Sequence, residues 1–147
     1  MRVINPMLLA VVLFSVGCGP GSGVPTEFSS ACVAENEKKV IEVAGFLEPR
    51  SFMFCSNRSG RMECGFDLKE APGSDKKVRV DIEQGSSANM AEKLESGFKR
   101  EDVKIYTNGG DRVDLEKKVK VTGTMSIIPP FQDTEGVCFM KVTKIEQ

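Results

Sequence analysis

The chain has 147 residues, a formal net charge of −1 and no histidine. This length favours a single domain, and the mixture of acidic and basic residues excludes the basic footprint of a dedicated nucleic-acid-binding protein. The lack of histidine removes the commonest general base and the commonest metal ligand. Because the five cysteines are an odd number, we expect one of them to have a role separate from the other four.

The first 17 residues have the pattern of a signal peptide. Arg2 precedes an apolar run from Met7 to Val16, which is shorter than the ~20 residues that span a bilayer but fits a signal-peptide core. The segment Ser15-Val16-Gly17-Cys18 then resembles the cleavage site of bacterial lipoproteins, with Ser15 at a position where that family favours leucine. A cytosolic or signal-anchored protein is the alternative.

The lipoprotein resemblance implies a membrane attachment at Cys18. In that family the cysteine thiol carries lipid, including palmitate, and cleavage leaves the cysteine as the new N-terminus. The implied location is the bacterial cell envelope, on the outer membrane if the cell is Gram-negative. Residues 19–26 are small, polar and rich in glycine and proline, which predicts a flexible tether. We therefore divide the chain into a signal peptide (1–17), a lipidated cysteine with its tether (18–31) and a domain (32–147).

Alternation of apolar and polar residues predicts five strands in this domain. They are Lys39–Leu47, Met62–Leu68, Val78–Ile82, Lys118–Met125 and Val137–Ile145. Gly45 and Gly123 lie on the apolar faces of the first and fourth strands, where a missing side chain lets the strand bend or another backbone approach. Two strands that bend at glycine predict a small closed barrel.

The residue period changes between the third and fourth strands. Met90, Leu94 and Phe98 are spaced i, i+4, i+8, which predicts one short helix stabilised by packing its apolar stripe on the barrel. Asn108-Gly109-Gly110-Asp111 follows and predicts a hairpin turn.

Three strands, a short helix and two more strands form an order that resembles the OB-fold, a five-stranded Greek-key barrel, here of the kind found in small domains of bacterial lipoproteins. The residues that carry the resemblance are Val43–Leu47, Val119–Thr124 and Val142–Ile145. The resemblance implies an all-β domain with one short helix. A β-sandwich is the alternative.

The remaining cysteines, Cys32, Cys55, Cys64 and Cys138, are expected to form disulfides in an oxidising compartment, and three pairings are open. In an OB-fold, the start of strand one lies near the end of strand four, which brings Cys32 and Cys138 to the same end of the barrel. Cys55 and Cys64 flank a single turn. The fold resemblance thus implies Cys32–Cys138 and Cys55–Cys64, with Cys32–Cys64 and Cys55–Cys138 as the competing pairing.

No arrangement of residues points to catalysis. The sequence lacks histidine, a glycine-rich phosphate loop and a Gly-x-Ser-x-Gly motif, and no Cys-x-x-Cys pair supports a zinc site. Glu42, Asp67, Asp81 and Glu83 fall on strand faces that we expect to be solvated. We therefore expect no metal, no cofactor and no enzymatic activity, and a hydrolase with an unusual site is a third hypothesis.

The candidate binding residues lie in two loops. They are Arg50, Phe52, Phe54, Arg58 and Arg61 between the first two strands, and Phe131 before the last strand. OB-folds bind oligonucleotides and oligosaccharides with these loops, and aromatic residues interleaved with cations suit stacking and phosphate contact. Alternatively, the phenylalanines plug the barrel end.

We expect a binding domain for an envelope protein or a glycan, with an oligonucleotide as the alternative ligand. Nucleic acid is not the expected partner, because a chain of negative net charge gains little from counterion release.

Overall fold

The computed structural model describes residues 21–132 and 136–147. The predicted signal peptide and Cys18 lie outside the described residues. Within them the strands are β1 (Val24–Pro25), β2 (Val40–Pro49), β3 (Cys55–Arg58), β4 (Arg61–Lys69), β5 (Lys77–Gln84), β6 (Met90–Ala91), β7 (Val119–Ile128) and β8 (Val137–Glu146). The helical segments are 3-10 turns at Phe28–Ser30, Ala34–Asn36 and Arg100–Asp102. In this part of the chain, no helix is long and apolar enough to cross a membrane.

Five of the strands close an OB-fold-like barrel. Around the barrel the order is β2, β4, β5, β8 and β7, and β7 pairs again with β2. Neighbouring strands are antiparallel except β5 and β8, which are parallel. The predicted all-β barrel is confirmed, and the five predicted strands correspond to these five.

The barrel interior is filled by the apolar residues of the alternating strands. Each strand places one set of side chains inside, because successive residues point to opposite faces. Residues that are fully buried there include Val43, Leu47, Phe66, Leu68, Val80, Ile82, Val121 and Met140. The opposite faces of the strands point outward and carry the charged residues. A ligand would contact these outer faces.

Gly45 and Gly123 occupy the tight positions predicted for them. At Gly45, pairing with β7 ends and pairing of β2 with β4 begins, and an added Cβ would lie 2.6 Å from the Lys69 carbonyl oxygen. Gly123 adjoins an irregularity in the β7–β8 register, and its Cβ would lie 2.2 Å from the Lys141 carbonyl oxygen. Backbone passes too close to both residues for any side chain.

Two disulfides join the cysteines as predicted. Cys32 bonds Cys138 across 106 residues of sequence, and Cys55 bonds Cys64 across nine, with Cα–Cα distances of 5.6 Å and 4.1 Å. The first ties the segment before β2 to the start of β8. The second joins facing residues of β3 and β4.

The helix predicted across Met90, Leu94 and Phe98 is wrong. Met90 instead belongs to β6, which pairs in parallel with the end of β5. Gly97 has a φ of +78°, which suits a turn, and so short a segment gains little from helix propensity. Leu94 and Phe98 still pack against the core, so the apolar spacing reflects contact with the barrel without a helix.

The predicted hairpin turn is formed. The N–H of Thr107 donates to the Asp111 carbonyl at 2.8 Å, and Tyr106 pairs with Arg112. Beyond the turn, the two segments are joined by an isolated bridge and do not form a regular pair of strands.

The domain begins before the predicted boundary at Cys32. Val24 and Pro25 pair with Ile41 and Glu42 of β2, although the sequence predicts a flexible tether through residue 31. Ala31 is buried in the core. Two residues are too few to show the alternation of a strand. The prediction of a flexible tether therefore depended on the composition of this segment alone.

Candidate functional site

The candidate site is the loop of residues 50–61, which includes Arg61 at the start of β4, and the outer face of β4 and β5 beneath it. We call this loop the aromatic loop. Its second half forms β3, which the sequence predicts as loop, and the strand pairs with the first half of β4. The second half of β4 pairs with β2 along the same edge. The Gly65 N–H donates to the Phe54 carbonyl at 3.0 Å. This bond places Phe54 at the point along β4 where the paired strand changes from β3 to β2.

Beneath the aromatic loop, four acids form what we call the acidic strip: Glu63, Asp67, Asp81 and Glu83. They share one face because β4 and β5 pair with Glu63 opposite Glu83 and Gly65 opposite Asp81. The prediction that Asp67 is solvated is wrong, since Asp67 is buried. Glu63, for which the sequence led to no prediction, is buried as well. Alternation distinguishes the two faces of a strand but cannot show that a loop covers the polar face.

The three loop arginines each lie near one carboxylate of the acidic strip. Arg50 is 3.8 Å from Asp67, Arg58 is 3.7 Å from Asp81, and Arg61 is 3.3 Å from Glu83. Their positive charges therefore face the barrel. Exposed ion pairs contribute little to stability one at a time. The position of the loop is fixed mainly by the pairing of β3 with β4 and by the Cys55–Cys64 bond.

Two lysines that the sequence argument overlooked complete the pairing. Lys77 lies 3.1 Å from Asp67, and Lys141 on β8 lies 2.6 Å from Glu63. One oxygen of Glu63 and one of Asp67 are buried without a hydrogen-bond partner in the described part of the chain. Burial raises the pKa of the Asp81 carboxyl, and the Arg58 guanidinium opposes that rise. The strip is therefore buried at Glu63 and Asp67, partly exposed at Asp81 and Glu83, and each of its carboxylates lies near a cation.

The phenylalanines of the two loops are directed to solvent. Phe52 and Phe54 are 88% and 71% exposed, and Phe131 in the loop between β7 and β8 is 70% exposed. The alternative in which these rings plug the barrel end is therefore wrong. An exposed aromatic pair on a fixed loop is unusual, because burying such rings is strongly favourable in water.

A groove of about 340 Å³ lies beside Phe52. It is lined by Glu48, Pro49, Arg50, Ser51, Phe52, Asp67, Lys69 and Lys77. Its charges are paired internally, for example Lys69 with Glu48 at 2.6 Å. The groove thus offers polar contacts of little net charge next to an aromatic ring.

A larger cavity, of about 460 Å³, lies elsewhere, among residues 100–116. Its Arg112 guanidinium donates to the carbonyls of Glu101 and Val103, which is a structural role. We do not assign this cavity to the site, since the exposed phenylalanines Phe52 and Phe54 are not part of its lining.

Within residues 21–132 and 136–147, no three histidine, cysteine, aspartate or glutamate side chains lie in an arrangement that could hold a metal ion. All five candidate residues of the aromatic loop lie on one stretch of chain, whereas Phe131 belongs to a separate loop. Glu63, Lys77 and Lys141 were missed by the prediction of the site from the sequence.

Compared with protein-family models, curated sequences and solved structures, the chain matches none of them.

Proposed function

We propose that this chain is a lipid-anchored protein of the bacterial cell envelope whose barrel binds a partner protein, without catalysis, through the aromatic loop. The observation that carries the proposal is the exposure of Phe52 and Phe54 at 88% and 71% on a loop held by the pairing of β3 with β4 and by the Cys55–Cys64 bond. Aromatic anchors held in place before binding lose little conformational entropy when a partner covers them.

The charges of the site favour a protein over an oligonucleotide. Binding to a nucleic-acid backbone needs cations that can neutralise phosphates. Arg50, Arg58 and Arg61 already face carboxylates of the barrel, so phosphate contact would require breaking those pairs.

The pairing of β3 also favours a protein. Among the described residues β3 pairs with β4 alone, so its other edge offers backbone donors and acceptors. An extended segment of a partner can add to such an edge while its side chains contact neighbouring pockets. Phe54 immediately precedes this strand. A glycan is the alternative, because a ring beside a polar groove also suits a sugar face.

Site-specific photocrosslinking in intact cells tests the partner. A benzoyl-phenylalanine placed at position 52 should give a crosslinked product that glycosidases and nucleases leave intact and whose peptides include those of a second protein. The same probe at Asp111, an exposed residue of the hairpin turn, is the control and should give no such product. Adding Phe54→Ala should remove the product from position 52, whereas adding Phe131→Ala should not.

The crosslinking result can contradict the proposal in two ways. A product cleaved by glycosidase or nuclease would make the ligand a glycan or an oligonucleotide. Equal products from positions 52 and 111 would show that the aromatic loop has no special contact.

The anchor is tested separately at Cys18. Replacement by serine should abolish incorporation of labelled palmitate and leave the precursor uncleaved at this position, because both steps need the thiol. A lipidated Cys18→Ser protein would contradict the anchor while leaving the partner experiment unaffected.

A further inference from the structure

A second set of exposed apolar side chains surrounds one end of the barrel. We call it the apolar rim: Val24, Val33, Ile128 and Phe131. Ile128 is 53% and Val24 65% exposed. Single exposed apolar residues are ordinary on protein surfaces, but a group at one end suggests an interaction surface.

The strand pairing places these residues at the same end. β7 runs antiparallel to β2, with Thr124 opposite Val40, so the end of β7 at Ile128 lies beyond the start of β2. Val33 follows Cys32, which is bonded to Cys138, and Cys138 faces Ile127. Phe131 comes three residues after Ile128.

Residues 21–23 lie toward that end as well. Val24 pairs in parallel with Ile41, so the described residues before Val24 run toward the start of β2. Cys18 lies six residues before Val24, which limits its distance to about 20 Å even if the chain is fully extended. A lipid on Cys18 would therefore hold the apolar rim close to the bilayer.

We propose that the barrel docks on the lipid bilayer through the apolar rim, with Phe131 and Ile128 entering the boundary between headgroups and acyl chains. This inference rests on the proposed lipid attachment at Cys18. It gives the domain a fixed orientation, with the aromatic loop directed away from the membrane, because Phe52 follows the end of β2 opposite to the rim.

Apolar insertion is the driving force we assign to docking. The exposed charges beside the rim are mixed, with Lys38 and Lys39 on the same segment as Glu35. Interfacial anchoring strengthens with the apolar area that enters the membrane, and a lipid chain supplies the second signal that a weak insertion needs. Docking should therefore depend little on salt concentration.

Tryptophan fluorescence tests the orientation directly, since the chain contains no tryptophan. Phe131→Trp is the probe, and Phe52→Trp at the other end is the matched control. Both replaced side chains are exposed, so the fold should tolerate either change. The core from Ala31 to Ile145 and both disulfides lie after residue 30, so the chain from Gly19 on can be used.

A histidine tag in place of Cys18 replaces the lipid, with vesicles of phosphatidylethanolamine and phosphatidylglycerol carrying a nickel-chelating lipid. Because the chain has no histidine, only the tag binds the nickel. This tether works whether or not cells lipidate Cys18, so its result is independent of the anchor and crosslinking experiments.

On these vesicles the emission of Phe131→Trp should shift to shorter wavelength and be quenched by brominated lipid. The emission of Phe52→Trp should do neither, and adding Ile128→Ser should reduce the shift of Phe131→Trp. The inference is overturned if both tryptophans stay accessible to a water-soluble quencher, or if Phe52→Trp alone inserts. It is also overturned if Phe131→Trp shifts without vesicles in a dimer, since the rim would then cover a second copy.

Discussion

Lys141 on β8 reaches across β5 to Glu63 on β4, with 2.6 Å between Nζ and Oε1. The Glu63 side chain is 4% exposed, whereas that of Lys141 is 56% exposed. One cation at the surface therefore compensates a carboxylate that water barely reaches. The link also joins two strands that are not neighbours in the barrel.

Lys141→Met should lower the free energy of unfolding by about 1–3 kcal/mol, less than for a fully buried pair, because water can partly replace the exposed lysine. Urea denaturation measures this loss. The double variant Glu63→Met/Lys141→Met should regain most of it, since no buried charge remains. A single variant as stable as the wild type would show that Glu63 does not depend on Lys141.

Asp81 predicts a pH dependence of stability. Burial raises its pKa in the folded protein above the ordinary 3.8, so the folded state binds the proton more tightly than the unfolded state does. Stability from this group is therefore greatest below 3.8 and is lost as the pH rises through the folded-state pKa.

Asp81→Asn removes that titration, so the wild type should lose stability relative to this variant as the pH rises above 3.8. Denaturation curves at several pH values measure the difference. Glu95→Gln, at an exposed acid outside the strip, is the control and should show no such trend. If the stability of the wild type relative to the Asp81→Asn variant instead increased with rising pH, the argument that burial raises this pKa would be contradicted.

Gly123→Ala should destabilise the barrel by about 1–3 kcal/mol, as overpacking does. The added Cβ would meet the Lys141 carbonyl oxygen at 2.2 Å, which is backbone and cannot turn aside. Gly45→Ala should also destabilise, with its nearest contact at 2.6 Å. Gly109→Ala is the matched control, because its nearest contact would be 3.6 Å, and thermal unfolding should show little change there.

The two disulfides should differ in their contribution to stability. Chain-entropy arguments give about 4–5 kcal/mol for Cys32–Cys138 and about 2–3 kcal/mol for the much shorter loop closed by Cys55–Cys64. The paired serine variants, compared by denaturant unfolding, should follow that order. The reverse order would mean that holding β3 on β4 stabilises the barrel more than holding the segment before β2 on β8.

The barrel could be predicted from the sequence because the residue patterns that define its strands are each contained in a short stretch of chain. Alternation in Val119–Met125 and the glycine within it specify a bent strand. The disulfide pairing then followed from the order of the strands in the fold. The predicted helix failed because Leu94 and Phe98 contact the core at helical spacing although the chain there turns at Gly97.

The site could be predicted only as a set of residues. Phe52 and Phe54 are identifiable as candidates by type and loop position, but their exposure depends on how the loop lies on the sheet. That depends on contacts such as Arg58 with Asp81, between residues far apart in sequence. Lys141 was missed for the same reason, since it meets Glu63 only after β8 joins β5.

The bond between Cys32 and Cys138 also determines how the molecule bears mechanical load. If the chain is pulled from Cys18, β1 offers only two paired residues and peels first. The stretch up to Cys32 can extend to about 50 Å. Beyond that, tension passes through the sulfur–sulfur bond directly into β8, which is held on both sides by β7 and β5. The Cys32–Cys138 bond thus limits unfolding that starts from the N-terminal side of the domain.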